Sequence, residues 1–204
     1  MILKNLLRRK ARTTLTILGI AIGVAAIIAL GVMASLLENG FTSMMTGSKS
    51  DLLLSQPDTF SLSYSAVDET IVDALAAMPE VARVSGMVQD IVQTPENPFF
   101  FIFGYPAQSY ILERYQILAG NGLDSQQAEQ ARGKPLLLGV AAAEALEKEP
   151  GDTLQLGDSL FRIVGIYQTG DAFEDRGAVI QLVEAQRLFN RTNTVSIIYI
   201  QLKD

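Results

Sequence analysis

The chain has 204 residues, with 16 Lys and Arg, 22 Asp and Glu, and neither His nor Cys. Without Cys and His it can carry no disulfide framework, zinc ribbon, iron–sulfur site, Ser-His-Asp triad or imidazole base. The formal net charge of −6 argues against broad nucleic-acid binding, and the mean hydropathy of +0.25 points to a membrane segment.

The first twelve residues hold the strongest concentration of positive charge in the chain. They contain five basic side chains and no acidic one, whereas the other 192 residues carry a net charge of −11. The basic residues are Lys4, Arg8, Arg9, Lys10 and Arg12. Two interpretations stay open. This segment is either a short helix that lies on the cytoplasmic leaflet and contacts lipid, or an ordinary basic flank that sets membrane topology.

An uncharged, apolar stretch of 25 residues follows, from Thr13 to Leu37. As a helix it extends roughly 37 Å, enough to cross a hydrocarbon core of about 30 Å. A signal peptide has a shorter apolar region and a small-residue cleavage site, so residues 13–37 are predicted to be a transmembrane helix. The positive-inside rule predicts that residues 1–12 are cytoplasmic and residues 38–204 extracytoplasmic, and in a bacterial inner membrane the latter means the periplasm.

Two glycines inside the predicted span, Gly19 and Gly23, form a G-x-x-x-G pair. Such a pair lets a second helix approach closely, but glycine is also common in membrane helices, so helix packing is only one interpretation. Apolar residues keep a spacing of three to four beyond the span, as far as Gly47. This pattern predicts that residues 38–49 continue as a stalk.

Residues 50–204 have the pattern of an α+β domain that is large enough to bury a core. Short apolar runs predict its strands, and a spacing of three to four predicts its helices. In chain order, the predicted elements are strand 51–55, helix 68–78, strands 81–93, 99–103 and 136–140, helix 141–147, strands 153–156, 159–167 and 179–183, a helical turn at 184–189 and strand 195–202.

Local signals refine these elements. Ser65 and Asp68 form an S-x-x-D helix start, and Gly86 predicts a bulge because the apolar alternation breaks there. Gly157-Asp158, between two apolar strands, predicts a tight hairpin. The four phenylalanines within residues 99–103 are expected in the core rather than in an exposed binding patch.

Motifs for catalysis are missing from the sequence, which contains no P-loop, no G-x-S-x-G elbow and no S-x-x-K. Asp171, Glu174 and Asp175 could hold a cation, but a solvated acidic turn is the favoured interpretation. No catalytic, cofactor-binding or metal-binding residue is predicted, and a membrane-anchored enzyme is the least favoured class of function.

The N-terminal stretch resembles the first transmembrane helix of MacB/FtsX-type ABC transporter permeases. Those helices begin with N-L and a basic flank and continue as R-[ST]-x-L-T-x-L-G-I-x-I-G-V. Residues 134–170 and 177–204 are similar to the periplasmic core domain of the same family, so the resemblance covers nearly the whole chain. The matching N-terminal positions are Asn5-Leu6, Arg9, Lys10, Arg12, Leu15-Thr16, Leu18-Gly19-Ile20 and Ile22-Gly23-Val24.

This resemblance implies a permease subunit that is not itself an enzyme, with ATP hydrolysis on a separate cytoplasmic ATPase subunit or domain and no cofactor bound by this chain. It implies that the chain pairs with a second permease, as a homodimer or a heterodimer. It also implies a periplasmic adaptor or substrate protein as a further partner, and no binding of nucleic acid. It also implies a periplasmic domain of two lobes, one a ferredoxin-like porter lobe and the other mostly β. ATP-driven motion would reach this domain and drive export or the transfer of a lipoprotein or another substrate.

The sequence departs from the family pattern in one respect. Family members usually have four membrane helices, whereas residues 1–204 contain one predicted span and stop just after strand 195–202. We therefore expect an N-terminal fragment, a truncated gene product or a split subunit, with a fold that is incomplete at the C-terminus. The alternative is a single-pass, membrane-anchored binding or adaptor module without energy coupling.

Overall fold

The computed structural model begins with one long helix. It describes residues 10–47, 50–59, 61–94, 97–125, 128 and 133–203. Helix α1 extends from Lys10 to Gly47, so it includes the predicted span and most of the predicted stalk. Its stretch Arg12–Ser35 is long and apolar enough to cross a membrane, and none of it is buried inside the protein. These exposed apolar side chains suit a lipid environment.

Residues Ser43–Asp204 form a compact unit of mixed α+β structure, as predicted. Helices α2, α3 and α4 cover Thr70–Ala76, Val140–Leu146 and Leu182–Leu188, and 3₁₀ turns cover Leu62–Tyr64, Tyr110–Arg114 and Glu174–Arg176. The strands are β1 Leu52–Leu54, β2 Val67–Asp68, β3 Val81–Val92, β4 Phe100–Tyr105, β5 Gln116–Gly120, β6 Lys134–Gly139, β7 Thr153–Leu156, β8 Ser159–Gln168, β9 Ala178–Gln181, β10 Thr194–Val195 and β11 Ile197–Leu202.

Nine of the strands form one sheet, in the order β1-β11-β3-β4-β9-β6-β8-β5, with β7 also beside β8. The long strand β3 connects two parts of this sheet, since residues 81–87 pair with β11 and residues 88–92 pair with β4. The region expected to form two lobes therefore shares a strand within one compact unit. Strands β2 and β10 form a separate antiparallel pair.

The central strands of the sheet are buried on both faces. Strand β6 illustrates this, because Leu136 and Leu138 belong to one apolar cluster and Leu137 belongs to the other. Side chains from α2, α3 and α4 pack in the first cluster, and side chains from the 3₁₀ turn Tyr110–Arg114 pack in the second. Burial on both faces explains why central strands such as β4, β6 and β9 are apolar runs rather than alternating patterns.

The predicted hairpin at Gly157-Asp158 is confirmed. Strands β7 and β8 pair antiparallel, with Leu156 opposite Ser159. Gly157 has a φ of +54°, a backbone conformation that glycine adopts at little cost. The predicted helix 141–147 is confirmed as α3, and the helical turn predicted at 184–189 is the two-turn helix α4, each within two residues of the predicted bounds.

The predicted bulge at Gly86 is wrong. Gly86 pairs in regular register with Ile198, and the irregularity lies instead between Gln201 and Leu202. A Cβ atom on Gly86 would lie 2.9 Å from Val195 Cγ1 and 3.3 Å from Val72 Cγ2, so the glycine allows close packing. The alternation breaks at this point because residues 85–89 are buried on both faces.

The predicted helix start at Ser65 is also wrong. Helix α2 begins at Thr70, whose backbone N–H donates to the Asp68 carboxylate over 2.9 Å. Ser65 is buried, and its hydroxyl accepts a hydrogen bond from the backbone of Gln56. Of the predicted S-x-x-D pair, only Asp68 therefore contributes to the helix start.

Two further predictions need correction. The strand predicted at 195–202 is divided at Ser196, whose hydroxyl accepts a hydrogen bond from the backbone N–H of Gln89, so that β10 and β11 are separate. Among the four phenylalanines expected in the core, Phe100 and Phe103 are buried, whereas Phe99 is 67% exposed. The fourth, Phe101, is half-buried with its ring centroid 4.2 Å from that of Phe173.

Candidate functional site at the β1–β11 edge of the sheet

Among the described residues, the first and last strands lie side by side. β1 and β11 pair antiparallel, with Leu52 opposite Ile200. Just before β1, the Asp51 backbone N–H donates to the Ile200 carbonyl over 2.9 Å, and the Asp51 carboxylate accepts from the Leu202 N–H over 2.8 Å. The chain therefore enters the domain at the same edge of the sheet at which β11 ends.

Tyr110 extends this arrangement to a second part of the domain. Its hydroxyl lies 2.8 Å from the Ser50 hydroxyl, and the Arg83 guanidinium carbon lies 4.6 Å from the centroid of its ring. Burial raises the pKa of the Tyr110 hydroxyl, while the hydrogen bond with Ser50 and the charge of Arg83 act in the opposite direction. Tyr110 therefore stays neutral near pH 7 and acts as a hydrogen-bonding and stacking group.

Arg83 joins three elements at this end of the sheet. Its Nε donates to the Gln201 side-chain oxygen over 2.7 Å, which connects β3 to β11. Its Nη1 lies 2.6 Å from a carboxylate oxygen of Glu113, in the 3₁₀ turn that also carries Tyr110. The Arg83–Glu113 ion pair is partly solvated, so it contributes little to stability. The position of Arg83 is therefore set mainly by its hydrogen bond with Gln201 and its contact with the Tyr110 ring.

Lys203 completes the set of contacts after β11. Its backbone N–H donates to the Glu80 carbonyl over 2.9 Å, and its ammonium group donates to the Pro79 carbonyl over 2.7 Å. We call the contacts of Ser50, Asp51, Arg83, Tyr110 and Lys203 the junction. The junction therefore links the residues directly before β1 with β3, β11 and the 3₁₀ turn Tyr110–Arg114.

The acidic turn is a buried structural site, so its interpretation as a solvated turn is wrong. Glu174 and Asp175 are only 3% and 7% exposed. Glu174 forms an ion pair with Arg114, and Asp175 accepts hydrogen bonds from the backbone and the hydroxyl of Thr169. Burial raises the pKa of Glu174 and outweighs the opposing effect of Arg114. Within the described residues, no group of three or more carboxylates could hold a metal ion.

The residues predicted from the sequence as sites lie on or before α1. A Cβ atom on Gly19 or Gly23 would meet nothing within 4 Å, so both glycines present an open helix surface, and their role in helix packing stays a prediction. Lys10 is the first residue of α1, and Arg12 is exposed at the start of the apolar stretch. Lys4, Arg8 and Arg9 lie outside the described residues.

Sequence reasoning missed the junction and all of its residues. Ser50 and Tyr110 are 60 residues apart, and Arg83 and Gln201 are 118 apart, so no local spacing connects them. Strand β5 and the 3₁₀ turn Tyr110–Arg114 were also unpredicted. The only local signal was Ser109, whose hydroxyl accepts a hydrogen bond from the Ile111 N–H and so starts the turn.

Comparison with solved structures identifies similar folds. The periplasmic region of MacB from Actinobacillus actinomycetemcomitans superposes with a TM-score of 0.54 at 14% identity, covering 68% of this chain and 65% of that region. The extracellular domain of the noncanonic ABC-type transporter YknZ from Gram-positive bacteria superposes with a TM-score of 0.54 at 16% identity, covering 74% of this chain and 82% of that domain. At these identities the likeness establishes the fold alone.

Comparison with protein families gives a longer match. Residues 13–204 match the MacB-like periplasmic core domain, which is 192 of the 204 residues. A search of curated proteins found no match. The family match includes the apolar helix as well as the sheet. The chain therefore belongs to the MacB-like periplasmic core domain family.

Proposed function

We propose that this chain is the permease component of a MacB/FtsX-type ABC transporter. The match of residues 13–204 to the MacB-like periplasmic core domain carries this proposal, and the apolar stretch Arg12–Ser35 supports it. In this role a separate cytoplasmic ATPase supplies the energy, and the chain itself binds no cofactor. The N-terminus lies in the cytoplasm of a bacterial cell, and residues 38–204 lie in the periplasm.

The junction is the part that passes movement into the domain. Helix α1 ends at Gly47, and two residues separate it from Ser50. A displacement of Ser50 acts on Tyr110 through their hydrogen bond, and a displacement of Asp51 acts on β11 through its two hydrogen bonds. In this proposal the ATPase moves α1, and the junction carries that motion to the sheet, which drives export or the transfer of a lipoprotein or another substrate.

Three kinds of partner follow from this function. The ATPase binds on the cytoplasmic side, near the basic residues that precede the span. A second permease, either another copy or a related chain, associates in the membrane through faces such as that of Gly19 and Gly23. A periplasmic adaptor or substrate protein contacts the domain.

Gentle extraction of the tagged chain from its native membrane tests the proposal. We expect an ABC ATPase to co-purify, identified by mass spectrometry and by ATP hydrolysis in the eluate. Replacing Arg8 and Arg9 by Gln should reduce the recovery of the ATPase, while Lys4, Lys10 and Arg12 preserve the topology. Replacing Lys148 and Arg187 by Gln is the matched control and should leave recovery unchanged. A chain that never brings down an ATPase would instead be a single-pass binding module.

The chain lacks cysteine, so single cysteines can report its topology. A membrane-impermeant maleimide applied to intact spheroplasts should label Asp158→Cys, which lies in the exposed hairpin turn, and should not label Lys4→Cys. Both variants should be labelled after the membrane is permeabilised. Labelling of Lys4→Cys in intact spheroplasts would reverse the proposed orientation.

A further inference from the structure

Strand β5 forms an open edge of the sheet. It is the last strand in the sheet order, and among the described residues it pairs only with β8. All five of its residues, Gln116–Gly120, are exposed. The strand contains no charged residue and no proline, two of the features that usually protect an edge from another chain. The backbone groups along its outer side are therefore free to pair with a further strand.

A cavity of about 300 Å³ lies beside this edge. Leu123 and Leu137 are buried and form its apolar floor, and Leu112 and Ile117 also line it. Tyr167, which lies opposite Ile117 in β8, belongs to the same apolar cluster as the two leucines of the floor. The cavity and the Ile117 side chain are therefore on one face of the sheet, so a strand added to β5 would place alternate side chains on the side of the cavity.

The described residues that line the cavity give it negative charge. Glu113 and Asp124 are exposed carboxylates, and none of the described lining residues is basic. Glu113 also pairs with Arg83, whereas Asp124 forms no ion pair with a described residue. A lysine or arginine side chain matches both parts of this surface, because its aliphatic stem covers the leucines while its charged end reaches the carboxylates.

We propose that β5 binds an extended segment of a partner protein as an additional strand, with a lysine or arginine side chain of that segment in the cavity. In this mode the backbone hydrogen bonds provide affinity, and the cavity provides selectivity. Repulsion by Glu113 and Asp124 disfavours a segment that carries an acidic residue at the same position. The inference rests on the proposed function in one respect, namely that the domain has a protein partner in the periplasm.

Two synthetic peptides test this mode of binding with the full-length chain in detergent. Both carry a fluorophore, and their sequences are TVTKTVT and TVTETVT, so that only the charge of the central residue differs. Fluorescence anisotropy measures their dissociation constants. We expect the lysine peptide to bind about tenfold more tightly than the glutamate peptide. Equal binding of the two peptides would overturn the role of the cavity.

A charge reversal in the chain locates the bound peptide. Asp124→Lys leaves Glu113 opposite a cation, so it should weaken binding of the lysine peptide and strengthen that of the glutamate peptide until the two are about equal. Asp158→Lys makes the same change in the exposed turn between β7 and β8, and it should leave the preference intact. Misfolding of the variant cannot explain a gain in affinity for one peptide. An unchanged preference in Asp124→Lys would place the peptide elsewhere and overturn the site.

Methylation of the peptide backbone tests the added strand itself. Only alternate N–H groups of a strand face its neighbour. One derivative of the lysine peptide is methylated on the backbone nitrogens of its two valines, and another on those of the two threonines beside the lysine. We expect one derivative to lose affinity about tenfold and the other to bind as tightly as the parent peptide. Equal affinities of the two derivatives would overturn the added strand.

These measurements do not depend on an ATPase, so this inference and the proposed function fail separately. A chain that co-purifies with an ATPase but does not distinguish the peptides overturns the strand-binding site and leaves the permease proposal intact. Selective peptide binding by a chain that never recovers an ATPase supports the site and overturns the permease proposal in favour of a single-pass binding module.

Discussion

The hydroxyl groups of Ser50 and Tyr110 lie 2.8 Å apart, although 60 residues separate them in the sequence. This contact connects the segment that leaves α1 to a 3₁₀ turn that leads into β5, at the far edge of the sheet. Asp51, the next residue, connects the same segment to β11. Two hydrogen-bonded routes into the domain therefore begin within two residues.

Tyr110→Phe should weaken the domain modestly. The substitution removes the hydroxyl that bonds Ser50 but retains the ring under Arg83, so we expect a loss of about 0.5–1.5 kcal/mol in the free energy of unfolding. Urea unfolding of the full chain in detergent, followed by circular dichroism, measures it. Tyr64→Phe is the matched control, since Tyr64 is 73% exposed, and it should be neutral. Equal effects of the two substitutions would contradict the role of the contact.

Asp51→Ala should loosen the end of β11. The Asp51 carboxylate accepts the hydrogen bond from the Leu202 N–H, and its loss should speed exchange of that amide about two- to tenfold. Hydrogen–deuterium exchange resolved to the C-terminal peptide checks this. Asp73→Ala, on the exposed side of α2, should leave the exchange of this peptide unchanged. Faster exchange across the whole domain would indicate general destabilisation instead.

Glu174→Gln should change how stability depends on pH. Burial raises the folded-state pKa of Glu174 above its unfolded value of about 4.3, so the native state holds this proton more tightly than the unfolded state. The native chain should therefore lose stability relative to Glu174→Gln as pH rises from about 4.3 through the folded pKa, and the difference should then level off.

Chemical denaturation of both chains at a series of pH values measures this difference. Both contain the same other carboxylates, so subtraction isolates position 174. A difference that grows in favour of the native chain with rising pH would mean that the ion pair with Arg114 outweighs burial.

Gly104→Ala should be destabilising, because a Cβ atom there would lie 2.2 Å from the Cβ of Ala185 in α4. We expect a loss of about 1–3 kcal/mol from overpacking between β4 and α4. Ala185→Gly alone should cost about 1 kcal/mol through helix propensity. The double substitution should relieve most of the clash, so its loss in the free energy of unfolding should be smaller than the sum of the two single losses. Thermal unfolding of the four chains provides this cycle, and simple additivity would contradict the close approach.

The sequence predicted correctly the features that depend on neighbouring residues, and it failed where a contact with a distant residue decides the structure. The span of α1, the hairpin at Gly157 and the helix α3 depend on local composition, and each was predicted. Gly86 was misinterpreted because its constraint comes from Val195, more than 100 residues away.

Burial of charge was the other source of error. Glu174 and Asp175 look like a solvated turn when only their neighbours are considered, since carboxylates are usually exposed. Their partners lie outside the turn itself, because Glu174 forms an ion pair with Arg114, 60 residues earlier, and Asp175 accepts hydrogen bonds from Thr169. The junction escaped prediction for the same reason, because each of its contacts joins segments distant in the chain.

The antiparallel pairing of β1 and β11 has a directional mechanical consequence. Residues 51 and 202 lie at the same end of this pair, so forces that separate them load the hydrogen bonds one after another, as in a zipper. Forces that push or pull both residues in the same direction load none of these bonds and move the strands as a unit. The domain should thus follow faithfully when residues 51 and 202 move together, and the pair should separate, beginning at Asp51 and Leu202, when these residues are driven apart.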